Sequence, residues 1–149
     1  MARPLRTLLR LFGRELTAYP KPHWRRLKLL LDHFGITLVF DVGGNIGQYG
    51  GYLREAGYRG RIVSFEPLSE AHAALTRRTA RDPGWTVAPR MALGASSGEI
   101  EINVSNDSDM SSLLPIRGEI LDVWPTSRTV AREKVRLATL DEVFADYAR

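Results

Sequence analysis

The sequence contains no cysteine among its 149 residues. This absence excludes a disulfide framework, a zinc site built on thiolates and a cysteine nucleophile. Long hydrophobic runs are also missing. No apolar stretch approaches the roughly 20 residues of a membrane span, and no apolar run of about 7–15 residues precedes a signal-peptide cleavage site. Because no membrane span or signal peptide is recognisable, we expect a cytoplasmic protein. The three histidines are scattered without metal-ligand spacing, so we expect no metal site.

Acidic residues are scarce at the start of the chain. Residues 1–28 contain eight Lys or Arg and a single acidic residue, whereas residues 29–149 contain 13 basic and 16 acidic residues. The net charge of +4 therefore comes from the N-terminal segment, and the remainder is mildly acidic. A mildly acidic body argues against a nucleic-acid groove that runs across the domain.

Residues 1–35 are predicted to form a basic helical N-terminal arm. Apolar residues recur there at helical spacing, at Leu5, Leu8, Leu9, Phe12 and Leu16. Two interpretations stay open. The helix contacts an anionic membrane surface or a protein partner, or it packs its leucines on its own domain. Pro20 and Pro22 end this helix, and a second amphipathic helix is predicted over residues 23–34.

The rest of the chain alternates apolar β-branched runs with amphipathic segments. The predicted order is strand 36–42, helix 48–56, strand 61–65, helix 69–81 and strand 85–89. This rhythm is typical of an α/β domain with a doubly wound parallel sheet and right-handed crossovers, and the first strand is predicted to be buried on both faces. Residues 99–104 and 134–137 alternate polar and apolar side chains, which predicts an added antiparallel β-pair. A last helix starts at Asp141.

A glycine-rich turn follows the first predicted strand and opens a helix: Asp41-Val42-Gly43-Gly44-Asn45-Ile46-Gly47. Because glycine has no Cβ, a ligand can approach the bare backbone there. The N–H groups at the start of the helix are expected to be free for an anionic part of the ligand. Glu66 ends the next strand, where a carboxylate can accept both hydroxyls of a ribose. Together these features predict a nucleoside cofactor.

The spacing of the glycines discriminates between cofactors. A dinucleotide fingerprint requires glycine at its first, third and sixth positions. Counted from Gly43, the third position holds Asn45 and the sixth holds Gln48. A P-loop is excluded because no Gly-Lys-Ser/Thr follows. A dinucleotide-dependent oxidoreductase therefore stays only as a disfavoured alternative.

The pattern acid-x-Gly-x-Asn-x-Gly resembles the first motif of class I methyltransferases, which bind S-adenosylmethionine in a Rossmann-like fold. A longer series of segments, from near Val39 to Val143, resembles the FkbM methyltransferase family, with Gly44 where alanine is expected. The segments that carry this resemblance are 40–49, 53–54, 57–58, 60–67, 92–94, Gly98, 111–113 and 139–141.

The resemblance implies an S-adenosyl-L-methionine-dependent methyltransferase that methylates a hydroxyl on a sugar, a polyketide or a related small molecule. It implies these cofactor-binding residues: Asp41, Gly43, Gly44, Asn45, Gly47, Glu66, Ala92 and Leu93. The glycine turn would line the methionine and ribose, and Asp41 would hold the turn and the amino group. Glu66 would accept the ribose hydroxyls, and residues 91–93, at the end of the third strand, would contact the adenine. Ser111 and Ser112 are expected to touch the substrate.

Plainer interpretations of these positions stay open. Asp41 is alternatively a carboxylate that stabilises the turn through backbone N–H groups, and Glu66 an acid at a helix N-terminus. Ser111 and Ser112 lie in a polar loop of the kind that often holds its own turns.

Residues 36–149 are predicted to be the N-terminal portion of a methyltransferase domain. In the FkbM family the last predicted helix leads into a further central strand, so we expect half of the sheet to be absent from this chain. The strand 36–42 would then have an unpaired edge, open to self-association, and residues 1–149 alone would transfer no methyl group. The alternative that stays open is a non-catalytic nucleoside-binding or interaction module.

Overall fold

The structure is a computed structural model that describes residues 22–105 and 129–148. The helices of these residues are α1 (Pro22–His33), α2 (Gln48–Glu55), α3 (Ser69–Thr79) and α4 (Leu140–Tyr147). The strands are β1 (Leu38–Val42), β2 (Arg61–Phe65), β3 (Trp85–Val87), β4 (Ala92–Leu93), β5 (Gly98–Ser105) and β6 (Thr129–Ala138). Two predictions lie outside the described residues: the first helix of the arm, and the substrate contact of Ser111 and Ser112.

The strands form two sheets of three strands each. In the first sheet β1, β2 and β3 lie side by side in parallel, with Val42 of β1 opposite Phe65 of β2. In the second sheet β6 lies between β4 and β5, parallel to β4 and antiparallel to β5. The predicted antiparallel pair is confirmed, because Ile100 lies opposite Val135. The sequence pattern does not predict β4.

The parallel sheet has an apolar core on each face. Side chains along β2 alternate between the faces. Ile62 packs on one face with Leu53 of α2 and Leu75 of α3. Phe65 packs on the opposite face with Val143 of α4. Because α2 and α3 contribute to one cluster, both crossover helices cover the same face of the sheet, as expected for an α/β domain of this kind.

Strand β1 is less buried than its apolar sequence predicts. Val42 is 57% exposed, and Ile36, just before the strand, is 41% exposed. Within the described residues β1 pairs with β2 alone, so it lies at an edge of the sheet, where fewer elements cover its side chains. The prediction of burial on both faces is therefore wrong for β1. It is correct for β2, whose last four residues are buried.

Helix α1 confirms the predicted second amphipathic helix. Its Trp24, Leu27 and Leu31 pack against the cluster around Leu53, whereas Leu29 on its outer face is 65% exposed. Neither α1 nor any other helix within residues 22–105 and 129–148 has the length and apolar character that crossing a bilayer requires.

A carboxylate of the second sheet fixes the start of helix α3. Glu133 on β6 accepts hydrogen bonds from the backbone N–H and the hydroxyl of Ser69, at 3.0 and 2.9 Å. It also forms an ion pair with Arg90 at 2.8 Å. Leu68, at the N-cap position, makes no side-chain cap, so Glu133 supplies an acceptor that the helix N-terminus needs. The second sheet thereby anchors the segment that follows Glu66.

Candidate functional site

The turn between β1 and α2 contains three residues in the left-handed region of backbone conformation. Their φ angles are +76° at Gly43, +45° at Asn45 and +85° at Gly47. Glycine and, to a lesser degree, asparagine tolerate this region, which explains the spacing Gly-x-Asn-x-Gly. A Cβ built at Gly43 would meet no atom of the described residues within 4 Å. The backbone at Gly43 is therefore accessible to a ligand.

Four N–H groups of this turn already donate to acceptors inside the protein. Those of Gly43 and Gly44 donate to the last carbonyl oxygen of β2, at 2.9 and 3.0 Å. The N–H of Gly47 donates to the carbonyl oxygen of Gly44 at 2.7 Å, and that of Asn45 donates to Glu66 Oε2 at 2.8 Å. The end of β2, Glu66 and the turn itself supply these acceptors. Among the N–H groups at the start of α2, the expectation of free donors is therefore wrong for the N-cap Gly47, and for the residues that follow it stays a prediction.

Glu66 is a buried carboxylate with both oxygens engaged. It is 4% exposed; Oε2 accepts from Asn45, and Oε1 accepts from the N–H of Leu68 at 2.9 Å. Burial raises the pKa of Glu66, the two backbone hydrogen bonds and His72 lower it, and the charge of Asp41 raises it. Each carboxylate oxygen can accept a further hydrogen bond. Glu66 therefore stabilises the turn and keeps acceptor capacity for a ligand.

A second buried carboxylate, Asp41, lies at the corresponding end of β1. It is 7% exposed, and the hydroxyl of Ser64 donates to its Oδ2 at 2.8 Å. The indole N–H of Trp85 donates in turn to the Ser64 hydroxyl oxygen at 2.9 Å. Burial raises the pKa of Asp41, and the Ser64 hydrogen bond lowers it. The turn is thus flanked by two buried carboxylates, at the carboxyl ends of adjacent parallel strands.

Ser64 and Trp85 are absent from the set of site residues that the sequence predicts. Ser64 is the only polar residue in the run Ile62-Val63-Ser64-Phe65, and it is fully buried. A lone hydroxyl in a buried strand is a usable signal, because a buried hydroxyl requires a hydrogen-bond partner. Trp85 gives no comparable signal in the sequence.

The glycines on the inner side of the turn and of α2 make room for packing. A Cβ at Gly47 would lie 2.8 Å from Leu75, and a Cβ at Gly50 would lie 2.2 Å from the ring of Trp85. Both distances are shorter than a van der Waals contact between carbons. Close packing therefore explains Gly50 and adds to the left-handed conformation at Gly47, whereas Gly43 is explained by its left-handed conformation alone.

Ala92 and Leu93 do not end the third strand as predicted. Strand β3 stops at Val87, and the two residues form β4 of the second sheet, paired with β6. Pro89 lies between the two strands, and its missing N–H removes a donor from the ladder. Ala92 packs against the cluster on β5 and β6, and Leu93 packs against the cluster that contains Phe65. Their contact with an adenine stays a prediction.

A family model described as the methyltransferase FkbM domain matches residues 41–149 of the chain. The chain belongs to the FkbM methyltransferase family. This confirms the resemblance found in the sequence, and the matched residues include the glycine turn and Glu66 of this FkbM domain. Comparison with curated proteins and with solved structures gave no match. Within the part of the FkbM chain that the structure describes, no group of three or more His, Asp or Glu side chains is arranged to hold a metal ion.

Replacing Asp41 by asparagine in this FkbM domain should stabilise the protein increasingly as the pH rises. Burial raises the pKa of Asp41 above its ordinary value of 3.8, so the folded state favours the protonated carboxyl. The stability this group contributes is present below pH 3.8 and is lost as the pH rises through the folded-state pKa. Asparagine keeps an acceptor for Ser64 without a charge. Thermal unfolding from about pH 4 to pH 8 should show a Tm difference that grows with pH.

Asp82→Asn is the control of opposite sign. The Arg54 side chain donates to Asp82 Oδ2 at 2.6 Å and holds the pKa of that carboxyl below its ordinary value of 3.8. The stability this group contributes is therefore present above that value and is lost as the pH falls through the lowered pKa. Asp82→Asn should lower the Tm at neutral pH. Shifts of the same sign in the two variants would contradict the assignment of Asp41 as a destabilising buried charge.

Proposed function

We propose that this chain binds S-adenosyl-L-methionine at the glycine turn and serves the transfer of its methyl group to a hydroxyl. The observation that carries the proposal is the turn itself. Four of its amides have acceptors inside the protein, and two buried carboxylates, Asp41 and Glu66, flank it. Membership of the FkbM methyltransferase family supports the same function.

The charge of the site favours a ligand without phosphate groups. A dinucleotide or a nucleoside triphosphate needs free N–H groups at such a turn to bind its phosphates. Asp41 and Glu66, when ionised, would repel those phosphates. S-adenosylmethionine has no phosphate, and its sulfonium and amino group are both positive near neutral pH. Exposed glycine backbone beside two carboxylates suits this ligand better than it suits NAD or ATP.

In the proposed site, different residues contact different parts of the ligand. Asp41 receives the amino group, and the backbone at Gly43 contacts the ligand along the turn. The remaining acceptor capacity of Glu66 binds the ribose hydroxyls, and Ala92 and Leu93 contact the adenine. In the same proposal the parallel sheet is part of a Rossmann-like sheet of the class I methyltransferase type.

When bound, S-adenosylmethionine supplies a methyl group that the adjacent sulfonium activates for displacement. The contribution of this chain is positioning, because in-line displacement requires the acceptor oxygen, the methyl carbon and the sulfur to be aligned. Alignment of this kind lowers a barrier by up to about 7–11 kcal/mol. Transfer to a hydroxyl also requires a base for its proton. The proposed acceptor is a hydroxyl on a sugar, a polyketide or a related small molecule.

Isothermal calorimetry and methyl transfer test the two halves of the proposal. We expect S-adenosylhomocysteine to bind with a dissociation constant of about 1 µM to 1 mM, and NAD to bind roughly tenfold or more weakly. A preference for NAD would overturn the cofactor assignment. In the second assay, methyl-labelled cofactor is incubated with a panel of hydroxylated acceptors, and label on an oxygen supports O-methylation. Binding without transfer would support the cofactor assignment and count against O-methylation by residues 1–149 alone.

A further inference from the structure

A hydrogen-bonded series of three polar side chains, Trp85, Ser64 and Asp41, crosses the core next to the glycine turn. Trp85 Nε1 donates to Ser64 Oγ at 2.9 Å, and Ser64 Oγ donates to Asp41 Oδ2 at 2.8 Å. All three residues are buried, and Ser64 is completely inaccessible. They lie on β3, β2 and β1 in turn, so this hydrogen-bonded series crosses the three parallel strands of the described residues and ends on the carboxylate beside the turn.

The order of donors and acceptors in this hydrogen-bonded series follows from the chemistry of its members. An indole nitrogen only donates, and an ionised carboxylate only accepts. The Ser64 hydroxyl lies between them, so its oxygen accepts from Trp85 and its single proton is directed to Asp41. Consecutive hydrogen bonds of this kind polarise each other in a buried environment. The hydroxyl cannot rotate away from Asp41 Oδ2 without leaving that carboxylate oxygen without its donor.

Two glycines let the turn and helix α2 pack directly against this hydrogen-bonded series. A Cβ at Gly50 would lie 2.2 Å from the Trp85 ring. A Cβ at Gly44 would lie 3.0 Å from the Ser64 side chain and 3.1 Å from Asp41 Oδ2. The turn, the hydroxyl and the indole are therefore packed against one another, and a displaced Ser64 or Trp85 would displace the carboxylate relative to the turn.

We propose that Ser64 and Trp85 are positioning residues for the cofactor. They act through Asp41, whose carboxylate they hold in place to receive the positively charged amino group of the ligand. The inference rests on the proposed function, because it requires a ligand that carries such an amino group. It adds two residues that are themselves shielded from the ligand and from the reacting atoms.

The charges around Asp41 predict how the pH dependence of binding should change. Burial raises the pKa of Asp41, and the Ser64 hydroxyl lowers it. Glu66, at the end of the neighbouring strand, is the like charge that faces Asp41, and His72 on α3 attracts Glu66. Without the Ser64 hydroxyl the pKa of Asp41 rises further, so the carboxyl stays neutral up to a higher pH. In such a variant, the pH below which Asp41 is protonated and no longer pairs with the ligand's amino group is therefore higher than in the unmodified protein.

Two ligands that differ in the amino acid part separate this role from a structural one. S-adenosylhomocysteine carries the amino group, and 5′-methylthioadenosine has the same nucleoside without it. We expect Ser64→Ala to weaken binding of S-adenosylhomocysteine about tenfold near neutral pH and to move the acid limit of that binding to higher pH. Binding of 5′-methylthioadenosine should change by less than about twofold. Trp85→Phe, which removes the donor and keeps an aromatic ring, should give the same pattern with a smaller effect.

Ile62→Val is the matched control for these variants. Ile62 lies on β2 two residues before Ser64, is fully buried in the cluster that contains Trp85, and has no polar side-chain atom. Its replacement should leave the affinities for both ligands unchanged. Wild-type affinity for S-adenosylhomocysteine in Ser64→Ala, equal losses for the two ligands, or the same selective loss in Ile62→Val would each overturn the inference. Failure of the unmodified protein to bind either ligand would overturn the proposed function itself, and this inference with it.

Discussion

Glu66→Ala should weaken binding of S-adenosylhomocysteine by about 1–3 kcal/mol, the usual cost of removing a charge-assisted hydrogen-bond partner. It should also destabilise the free protein. The backbone N–H groups of Asn45 and Leu68 donate to this carboxylate, and a buried donor without an acceptor costs about 1–3 kcal/mol. We therefore expect the free energy of unfolding in urea to fall by about 2–4 kcal/mol, with calorimetry measuring the loss of binding.

Glu70→Ala is the matched control, because it removes the same charge four residues further along the chain. Glu70 is exposed in the first turn of α3, where an acidic residue contributes about 0.3–1 kcal/mol through the helix dipole. Its replacement should leave cofactor binding unchanged. If the Glu66 variant matched the Glu70 variant in both stability and affinity, the role of Glu66 in anchoring the turn and the ribose would be wrong.

Gly50→Ala should lower the free energy of unfolding by about 2–3 kcal/mol or more, a large effect for a single methyl group. The new Cβ would lie 2.2 Å from Trp85 Cζ2 and 2.5 Å from Cη2. The indole cannot move aside without breaking its hydrogen bond to Ser64. Alanine gains about 1 kcal/mol of helix propensity over glycine, which offsets only part of the clash. Thermal and urea unfolding followed by circular dichroism measure the loss.

Gly44→Ala adds the same methyl group at a less crowded position than Gly50. The atoms nearest its Cβ, 3.0–3.3 Å away, all belong to side chains, and Gly44 is outside the left-handed region that Gly43 and Gly47 occupy. Its cost should stay below about 1.5 kcal/mol. Combining Gly50→Ala with Trp85→Phe, which removes the outer ring atoms, should recover part of the stability. Equal costs for Gly44→Ala and Gly50→Ala would show that the indole contact is not the cause.

The local elements of the fold can be predicted from the sequence, because hydrophobic periodicity is a local property. Strand β2 has the predicted bounds, Arg61–Phe65, and the alternation in residues 99–104 predicts a strand whose partner is then confirmed. Periodicity does not say what lies beside a strand. Residues 36–42 are apolar enough for a strand covered on both faces, yet β1 lies at an edge of the described sheet. Neighbours are decided by long-range pairing and burial rather than by the strand's own residues.

In the candidate site, too, the sequence predicts the local features and not the contacts that depend on the folded structure. The sequence predicts that Glu66 lies at the end of the second strand, and the structure confirms this position. The sequence does not predict that the carboxylate turns back to the amides of Asn45 and Leu68, because a side-chain rotamer depends on donors that only the folded turn presents. Similarly, the family resemblance implies that Ala92 and Leu93 end the third strand, and this is wrong. Their pairing with β6, far along the chain, has no local signature.

The internally bonded turn has a consequence for the rate of cofactor association. A loop that becomes ordered on binding adds a conformational step to association and an entropic cost to affinity. In this chain the amides of Gly43, Gly44, Asn45 and Gly47 have their acceptors before any ligand arrives. On the proposed function, a ligand that binds at this turn needs no ordering of these four amides, so their ordering adds no step to its association.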